Sequence, residues 1–120
     1  MRLTISHRFE AAHRLPLYQG PCFALHGHSY RFHVTIQAQT DPATGMGPDF
    51  LQMKRDVQTL VFDKVDHTYL NDLIENPTAE NIVKWMWGKL AKPLPGLFEI
   101  ALFETDDCWV AYRGDEEAAT

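Results

Sequence analysis

The chain has 120 residues, a mass of 13.8 kDa, 45% hydrophobic residues and a formal net charge of −5 at pH 7. This size and composition are typical of one compact domain, which we expect to span residues 1–120. The acidic balance and the lack of a basic stripe exclude a nucleic-acid-binding surface. No apolar stretch approaches the roughly 20 residues of a membrane span and no secretory leader opens the chain, so we expect a cytoplasmic protein.

Two segments near the start alternate in the way that half-buried strands do. In residues 3–13 the apolar side chains fall on odd positions, and His7 and His13 share their face. A loop rich in proline and glycine follows, and residues 30–36 then place a second apolar set on even positions, which predicts an antiparallel pair. The other face of the second strand indicates a wet surface or the lining of a barrel shared between subunits, because its residues are polar: Arg31, His33, Thr35, Gln37 and Gln39.

Two helices and two further strands are predicted after this pair. The first helix starts near Asp49, whose carboxylate suits an N-cap, and the second starts near Asn76-Pro77-Thr78. Residues 98–105 and 109–112 are predicted strands joined by a tight turn. The sequence therefore predicts an α+β fold, in which a four-stranded antiparallel sheet has two helices inserted between its strand pairs.

Three histidines point to a metal site. His26 and His28 are two residues apart where a strand begins, so both side chains project to the same side. His13 lies near the end of the neighbouring strand, and its imidazole could join the other two. Three imidazoles with a fourth position left open are typical of a catalytic zinc site. The alternative is that the three side chains never meet, since His-x-His pairs also arise by chance.

The two cysteines lie in different contexts, and a reducing cytosol favours two free thiols over a disulfide. Cys22 precedes the His-Gly-His segment in a loop, where a nearby cation would favour its thiolate and suit it to act as a base or nucleophile. The alternative for any cysteine is a small buried hydrophobe, and this is our interpretation of Cys108.

Two other groups carry candidate chemistry. Asp66 directly precedes His67, whose imidazole can move protons near neutral pH, and the carboxylate either fixes the tautomer of His67 or bonds backbone amides. Glu104 follows apolar residues on one face of a predicted strand. Its carboxylate either accepts a pair of N–H groups from a pterin-like or guanine-like ligand or reaches solvent at the strand end.

Six segments in this order resemble the 6-pyruvoyltetrahydropterin synthase superfamily, and most closely its bacterial 6-carboxytetrahydropterin synthase branch. The segments lie between residues 5 and 114 and read "FEAAHRL", "CFALHGHSY", "GMGPDF", "VDHTYLND", "NPTAENIVKWMW" and "FETDDCWVAYRG". The short spacing from Cys22 to His26 favours the carboxy branch, whereas Ala79 departs from the animal enzymes, which have a threonine there.

The resemblance implies a role for each candidate residue. It implies the tunnelling fold, in which trimers close a barrel and stack as hexamers with active sites between subunits. It implies cleavage of 7,8-dihydroneopterin triphosphate to 6-carboxy-5,6,7,8-tetrahydropterin, triphosphate and acetaldehyde, on the route to queuosine. The alternatives are triphosphate elimination alone, giving a pyruvoyl product, or a non-catalytic protein that binds pterin and metal. The implied residues are His13, His26 and His28 for Zn²⁺, Cys22, Asp66 and His67 for catalysis, and Glu104 and Thr78 for the pterin. A triphosphate must meet positive charge at the mouth of the pocket, and the candidates are Arg14, Arg31 and Lys54.

Overall fold

A computed structural model describes residues 1–114, and residues 115–120, the end of the predicted domain, lie outside the described residues. The strands are β1 (Arg2–His13), β2 (His26–Gln37), β3 (Thr68–Tyr69), β4 (Leu97–Thr105) and β5 (Cys108–Tyr112). The helices are α1 (Phe50–Val57), α2 (Asp63–Val65) and α3 (Ala79–Leu90). A π-helical segment, Gln58–Phe62, joins α1 to α2, and short 3₁₀ turns cover Pro21–Phe23 and Leu70–Asp72.

The sheet has the strand order β3-β1-β2-β4-β5, and all neighbours except β3 are antiparallel. The four predicted strands are therefore confirmed, and the α+β arrangement with them. The fifth strand, β3, was not predicted and pairs parallel with β1 through two residues. Two residues are too short to produce an alternating pattern, so only the tertiary pairing reveals this strand.

The helices begin where the sequence predicts. The Asp49 carboxylate accepts a hydrogen bond from the amide of Leu51 and caps α1. The Thr78 hydroxyl accepts one from the amide of Asn81 and caps α3. Both helical stretches pack their apolar sides against one face of the sheet. The buried helical residues recur at the three- and four-residue spacing of an amphipathic helix: Met53, Val57, Val61, Val65, Ile82, Val83, Met86 and Leu90.

The sheet has one buried face and one polar face. Even positions of β2 from Tyr30 to Ile36 are buried, and odd positions are partly or fully exposed, as predicted. Within residues 1–114 no helix covers the polar face, and the barrel shared between subunits stays a prediction. No helix in residues 1–114 is long and apolar enough to cross a bilayer.

One prediction about burial is wrong. Cys108 is exposed, not buried. It is the first residue of β5, beside the Asp106-Asp107 turn and on the outermost strand of the sheet, so no element within residues 1–114 covers it. The prediction that both cysteines are free thiols is confirmed.

Candidate metal centre and proton-transfer groups

The ends of β1 and β2 bring three histidines together. His13 is the register partner of His26, and the partner of His28 is Ala11, two residues before His13. Because β-strand side chains alternate, His13, His26 and His28 project from the buried face of the sheet. Their ligand atoms lie within 4.8 Å of one another, and among residues 1–114 this is the group of His, Cys, Asp and Glu side chains that could hold a metal ion.

Hydrogen bonds fix the tautomers of two of these imidazoles. The Nδ1 atom of His13 lies 2.8 Å from the carbonyl oxygen of Pro77, and Nδ1 of His26 lies 2.7 Å from that of Ala24. A carbonyl can only accept, so each Nδ1 carries the proton and donates it. In the neutral rings both Nε2 atoms therefore present bare lone pairs, and these atoms are 2.9 Å apart. Two facing lone pairs at this distance call for a proton or a metal ion between them.

The third imidazole has an unsatisfied nitrogen. Nε2 of His28 is buried and has no hydrogen-bond partner among residues 1–114. The nearest carboxylate oxygen, Oε1 of Glu104, is 3.6 Å away, which is too long for a hydrogen bond. Burial lowers the pKa of both His13 and His28, so both rings favour the neutral form that binds metals. The three nitrogens therefore fit a divalent metal of the kind that imidazole prefers, such as zinc.

Tyr30 contacts this cluster, and the sequence patterns did not indicate that contact. Its side chain is fully buried, stacks on Phe9 at 4.7 Å, and places its hydroxyl 3.3 Å from Nδ1 of His13. Burial, together with the charge of Glu104, raises the pKa of Tyr30, so the hydroxyl stays protonated. The alternating pattern identified Tyr30 only as a core residue, because contact with His13 depends on the pairing of β1 with β2.

The side chains of Asp66 and His67 contact each other, which their neighbouring positions in the sequence did not establish. Oδ1 of Asp66 accepts a hydrogen bond from the Glu10 amide at 3.0 Å, and Oδ2 lies 2.8 Å from Nδ1 of His67. The bond from Glu10, and then the one from His67, lower the pKa of Asp66. Both alternatives from the sequence analysis therefore hold at once, since the carboxylate binds the backbone amide of β1 and the imidazole.

His67 has an unusual backbone conformation that makes this contact possible. Its φ is 59°, in the left-handed region, and its amide donates to the carbonyl oxygen of Glu10 at 2.6 Å. The strained residue is held to β1 by this bond and through the Asp66 carboxylate. Nδ1 of His67 faces the carboxylate, which leaves Nε2 free on a side chain that is 78% exposed. Such strain in a non-glycine residue is typical of functional positions.

His67 shares an open cleft with one of the three imidazoles. This cleft of about 440 Å³ is lined by residues of β1, β2 and β3 and by the residue before β3: Glu10, Ala11, Ala12, Gly27, His28, Ser29, His67 and Thr68. Glu10, Ala12, Gly27 and Ser29 belong to the polar face, whereas the His28 side chain projects from the buried face. The His67 imidazole is not part of the three-nitrogen group of its own chain.

The other predicted site residues lie on three separate segments of the chain. Cys22 lies in the Pro21–Phe23 turn, is partly buried, and accepts a backbone hydrogen bond from Leu15 at 3.2 Å. Its sulfur is not part of the three-nitrogen group, so its catalytic role stays a prediction. Glu104 reaches the cluster from the end of β4, and its side chain is 26% exposed. The Thr78 hydroxyl is already engaged as the cap of α3.

The three basic candidates for the triphosphate lie in different places. The Arg14 guanidinium lies 5.1 Å from the ring centroid of Phe23, beside the cysteine turn. Arg31 is on the polar face of β2, away from the imidazole rings, and Lys54 is exposed on α1. Of the three, Arg14 alone adjoins a candidate metal ligand, His13.

Comparison with known proteins identifies the family. The family model for 6-pyruvoyl tetrahydropterin synthase matches residues 2–115. A Synechocystis sp. protein named 6-carboxy-5,6,7,8-tetrahydropterin synthase is 42% identical over 104 residues, which are 81% of this chain and 81% of that protein. A relative from Archaeoglobus fulgidus is 36% identical over 113 residues, which are 94% of this chain and 96% of that protein.

A solved structure gives the same result. The structure of Caenorhabditis elegans 6-pyruvoyl tetrahydropterin synthase superposes with a TM-score of 0.85 at 28% identity, covering 95% of each chain. The fold, the order of the motifs and these relatives agree. This chain belongs to the 6-pyruvoyl tetrahydropterin synthase family.

Proposed function

We propose that the chain is a cytoplasmic, zinc-dependent 6-carboxy-5,6,7,8-tetrahydropterin synthase in the route to queuosine. Its substrate would be 7,8-dihydroneopterin triphosphate, and its products 6-carboxytetrahydropterin, triphosphate and acetaldehyde. The observation that carries the proposal is the convergence of three imidazole nitrogens, two of which are Nε2 atoms left with bare lone pairs because the Nδ1 atoms donate to carbonyls. The name of the Synechocystis relative supports the carboxy reaction over the pyruvoyl one.

Zinc held by His13, His26 and His28 would bind the side-chain hydroxyls of the substrate and acidify the adjacent C–H bonds. The protein groups would supply the proton transfers. Cys22 lies in the turn that leads into β2 and would serve as base or nucleophile. His67 would give or take protons at Nε2, while Asp66 holds its Nδ1 proton and stabilises the charged ring.

Glu104 would anchor the pterin. Its carboxylate is partly exposed next to His28, and it has two oxygens that can accept the paired N–H groups of a pterin ring. A ring held there lies beside the metal ligands, which places the substrate side chain near the cation. Thr78 would contribute a second contact through its hydroxyl hydrogen, since the cap uses only the oxygen as an acceptor.

The position of His67 supports an active site shared between subunits. The His67 side chain is 78% exposed and is not part of the three-histidine group of its own chain, so it is available to a neighbouring copy. The outer edge of β1 before Ala11 and the outer edge of β5 pair with no strand within residues 1–114. Pairing of such edges between copies would close the barrel predicted for a trimer or a dimer of trimers.

Product analysis tests the reaction. The zinc-loaded protein should release acetaldehyde and triphosphate from 7,8-dihydroneopterin triphosphate. Cys22→Ala should lower the rate by about a hundredfold or more while zinc content stays unchanged. Cys108→Ala is the matched control, because Cys108 is an exposed thiol outside the site, and it should keep the wild-type rate. Pyruvoyl product without acetaldehyde would assign the other reaction, and absence of turnover would leave a binding protein.

Subunit mixing tests the shared site separately. His28→Ala and His67→Ala should each be nearly inactive alone. When the two variants are unfolded together and refolded, some sites should combine an intact metal centre from one chain with an intact His67 from another. Recovered activity would support the shared arrangement, and its absence in refolded oligomers would place His67 and the metal centre within one chain.

A further inference from the structure

The segment that carries Asp66 and His67 lies along the edge of β1 that faces away from β2. At its start the Asp66 carboxylate accepts a hydrogen bond from the Glu10 amide at 3.0 Å, and the His67 amide donates to the Glu10 carbonyl oxygen at 2.6 Å. Its next two residues form β3 and pair with two residues of β1. A strand of two residues is shorter than most strands and makes few hydrogen bonds, so the contacts at its two ends decide how firmly the segment is held.

Asn71 supplies the contact at the other end of this segment. Its side-chain Oδ1 accepts a hydrogen bond from the Arg14 amide, and its Nδ2 donates one to the Arg14 carbonyl oxygen, both at 2.9 Å. A side-chain amide has an acceptor oxygen and a donor nitrogen, so it can bond both backbone groups of one residue as a strand residue can. Asn71 therefore extends the contact with β1 past the end of β3.

Asn71 projects from a turn that the core fixes. It lies in the 3₁₀ turn Leu70–Asp72, and Leu70 is fully buried. The carbonyl oxygen of Leu70 accepts hydrogen bonds from the amides of Leu73 and Ile74, at 3.0 and 2.8 Å. The Asn71 side chain is therefore attached to a part of the chain with little freedom to move, which suits it to hold another segment in place.

The residue that Asn71 holds lies between two candidate functional groups. Arg14 directly follows the candidate metal ligand His13 and directly precedes Leu15. The amide of Leu15 donates to the carbonyl oxygen of Cys22 at 3.2 Å. Fixing both backbone groups of Arg14 therefore limits the movement of the metal ligand on one side and of the cysteine turn on the other.

We propose that Asn71 is a positioning residue that holds His13, the turn of Cys22 and the Asp66–His67 pair in one arrangement. Functional side chains must be held within about 0.5 Å of their working geometry, and the left-handed backbone of His67 persists only if its surroundings hold it. Asn71 acts through the backbone of Arg14 and through β3. Its effect on turnover rests on the proposed function, whereas its effect on the histidine cluster and on the His67 segment does not.

Hydrogen exchange of the metal-free protein tests this role without substrate. Asn71→Ala should speed exchange of the Arg14 amide by about tenfold or more, because it removes two hydrogen bonds, and the His67 amide should exchange faster with it. The matched control is Asp49→Ala, which removes the cap of α1 near the opposite end of β2, where Asp49 lines a cavity with Ile36. This control should change the two amides no more than it changes the rest of the sheet.

Zinc titration and steady-state kinetics test the consequence for the site. Asn71→Ala should weaken zinc binding by about tenfold, the lower end of the loss found when a group that orients a metal ligand is removed. At saturating zinc, kcat should fall by about tenfold or more with KM little changed, because alignment is lost while substrate contacts are not. Asp49→Ala should keep the wild-type zinc affinity and kcat. A second variant, Asn71→Asp, has nearly the same size and keeps the acceptor but lacks the donor, so its losses should have the same direction.

Two outcomes would overturn the proposal. Faster exchange at Arg14 without any change at His67 would show that Asn71 holds only its immediate contact. Wild-type zinc affinity and kcat in both Asn71 variants would show that the contact contributes nothing to the site. A wild type that turns over no substrate would instead count against the proposed reaction, and the exchange and zinc measurements would still decide the role of Asn71.

Discussion

Replacing His28 with alanine should remove zinc binding while hardly changing the stability of the metal-free protein. Nε2 of His28 has no hydrogen-bond partner within residues 1–114, so the metal-free chain loses no bond at that atom when the ring is removed. Loss of an outer hydrogen-bond partner of a metal ligand typically costs 10–100-fold in affinity, so loss of the ligand should cost about a hundredfold or more. At free zinc near 100 Kd, binding stabilises the wild type by about 2.7 kcal/mol, and a hundredfold weaker variant gains only about 0.4 kcal/mol.

Thermal unfolding with and without zinc measures this difference. For a chain of 120 residues the unfolding entropy makes 1 kcal/mol equivalent to about 4 °C, so the zinc-dependent rise in Tm should be roughly 9 °C smaller in the variant. His33→Ala is the matched control, because His33 lies on the same strand but on the polar face. Zinc retained after His28→Ala, or lost after His33→Ala, would refute the ligand assignment.

Three further predictions follow from individual contacts. Asp66→Asn should keep zinc but lower kcat by about a hundredfold or more, because an amide donor facing Nδ1 of His67 favours the wrong tautomer; an unchanged rate would show that the carboxylate does not act through His67. Thr78→Ala should cost about 1 kcal/mol in urea unfolding whereas Thr78→Ser should not, and equal losses would mean that the cap is not the cause. Burial lowers the pKa of His13 and His28 below 6.5, so the unfolded chain binds more protons below that pH. The free energy of unfolding of the metal-free protein should therefore be lower at about pH 5.5 than at about pH 7.5, and a flat profile would contradict the burial of neutral rings.

The sequence by itself determined the features that depend on local spacing. A period of two placed His26 and His28 on one face of β2 and His33 on the other, because strand side chains alternate whatever the strand pairs with. Asp49 was found as a cap, and the start of α3 was placed within three residues that include its cap, Thr78, because a cap needs only the next two or three residues. The motif order was enough to indicate the family.

Only the tertiary structure decided the features that depend on pairing between distant residues. His13 lies opposite His26 only because of the register between β1 and β2. The acceptor that fixes the tautomer of His13 is a carbonyl 64 residues away. The Asp66–His67 contact depends on a left-handed residue that bonds back to β1, which no local pattern predicts. The pairing of Arg8 with Arg31 arises in the same way, since a shift of register by one residue would place different side chains opposite each other. Long-range register is set by the packing of the whole sheet and its helices, and a single strand's sequence does not contain it.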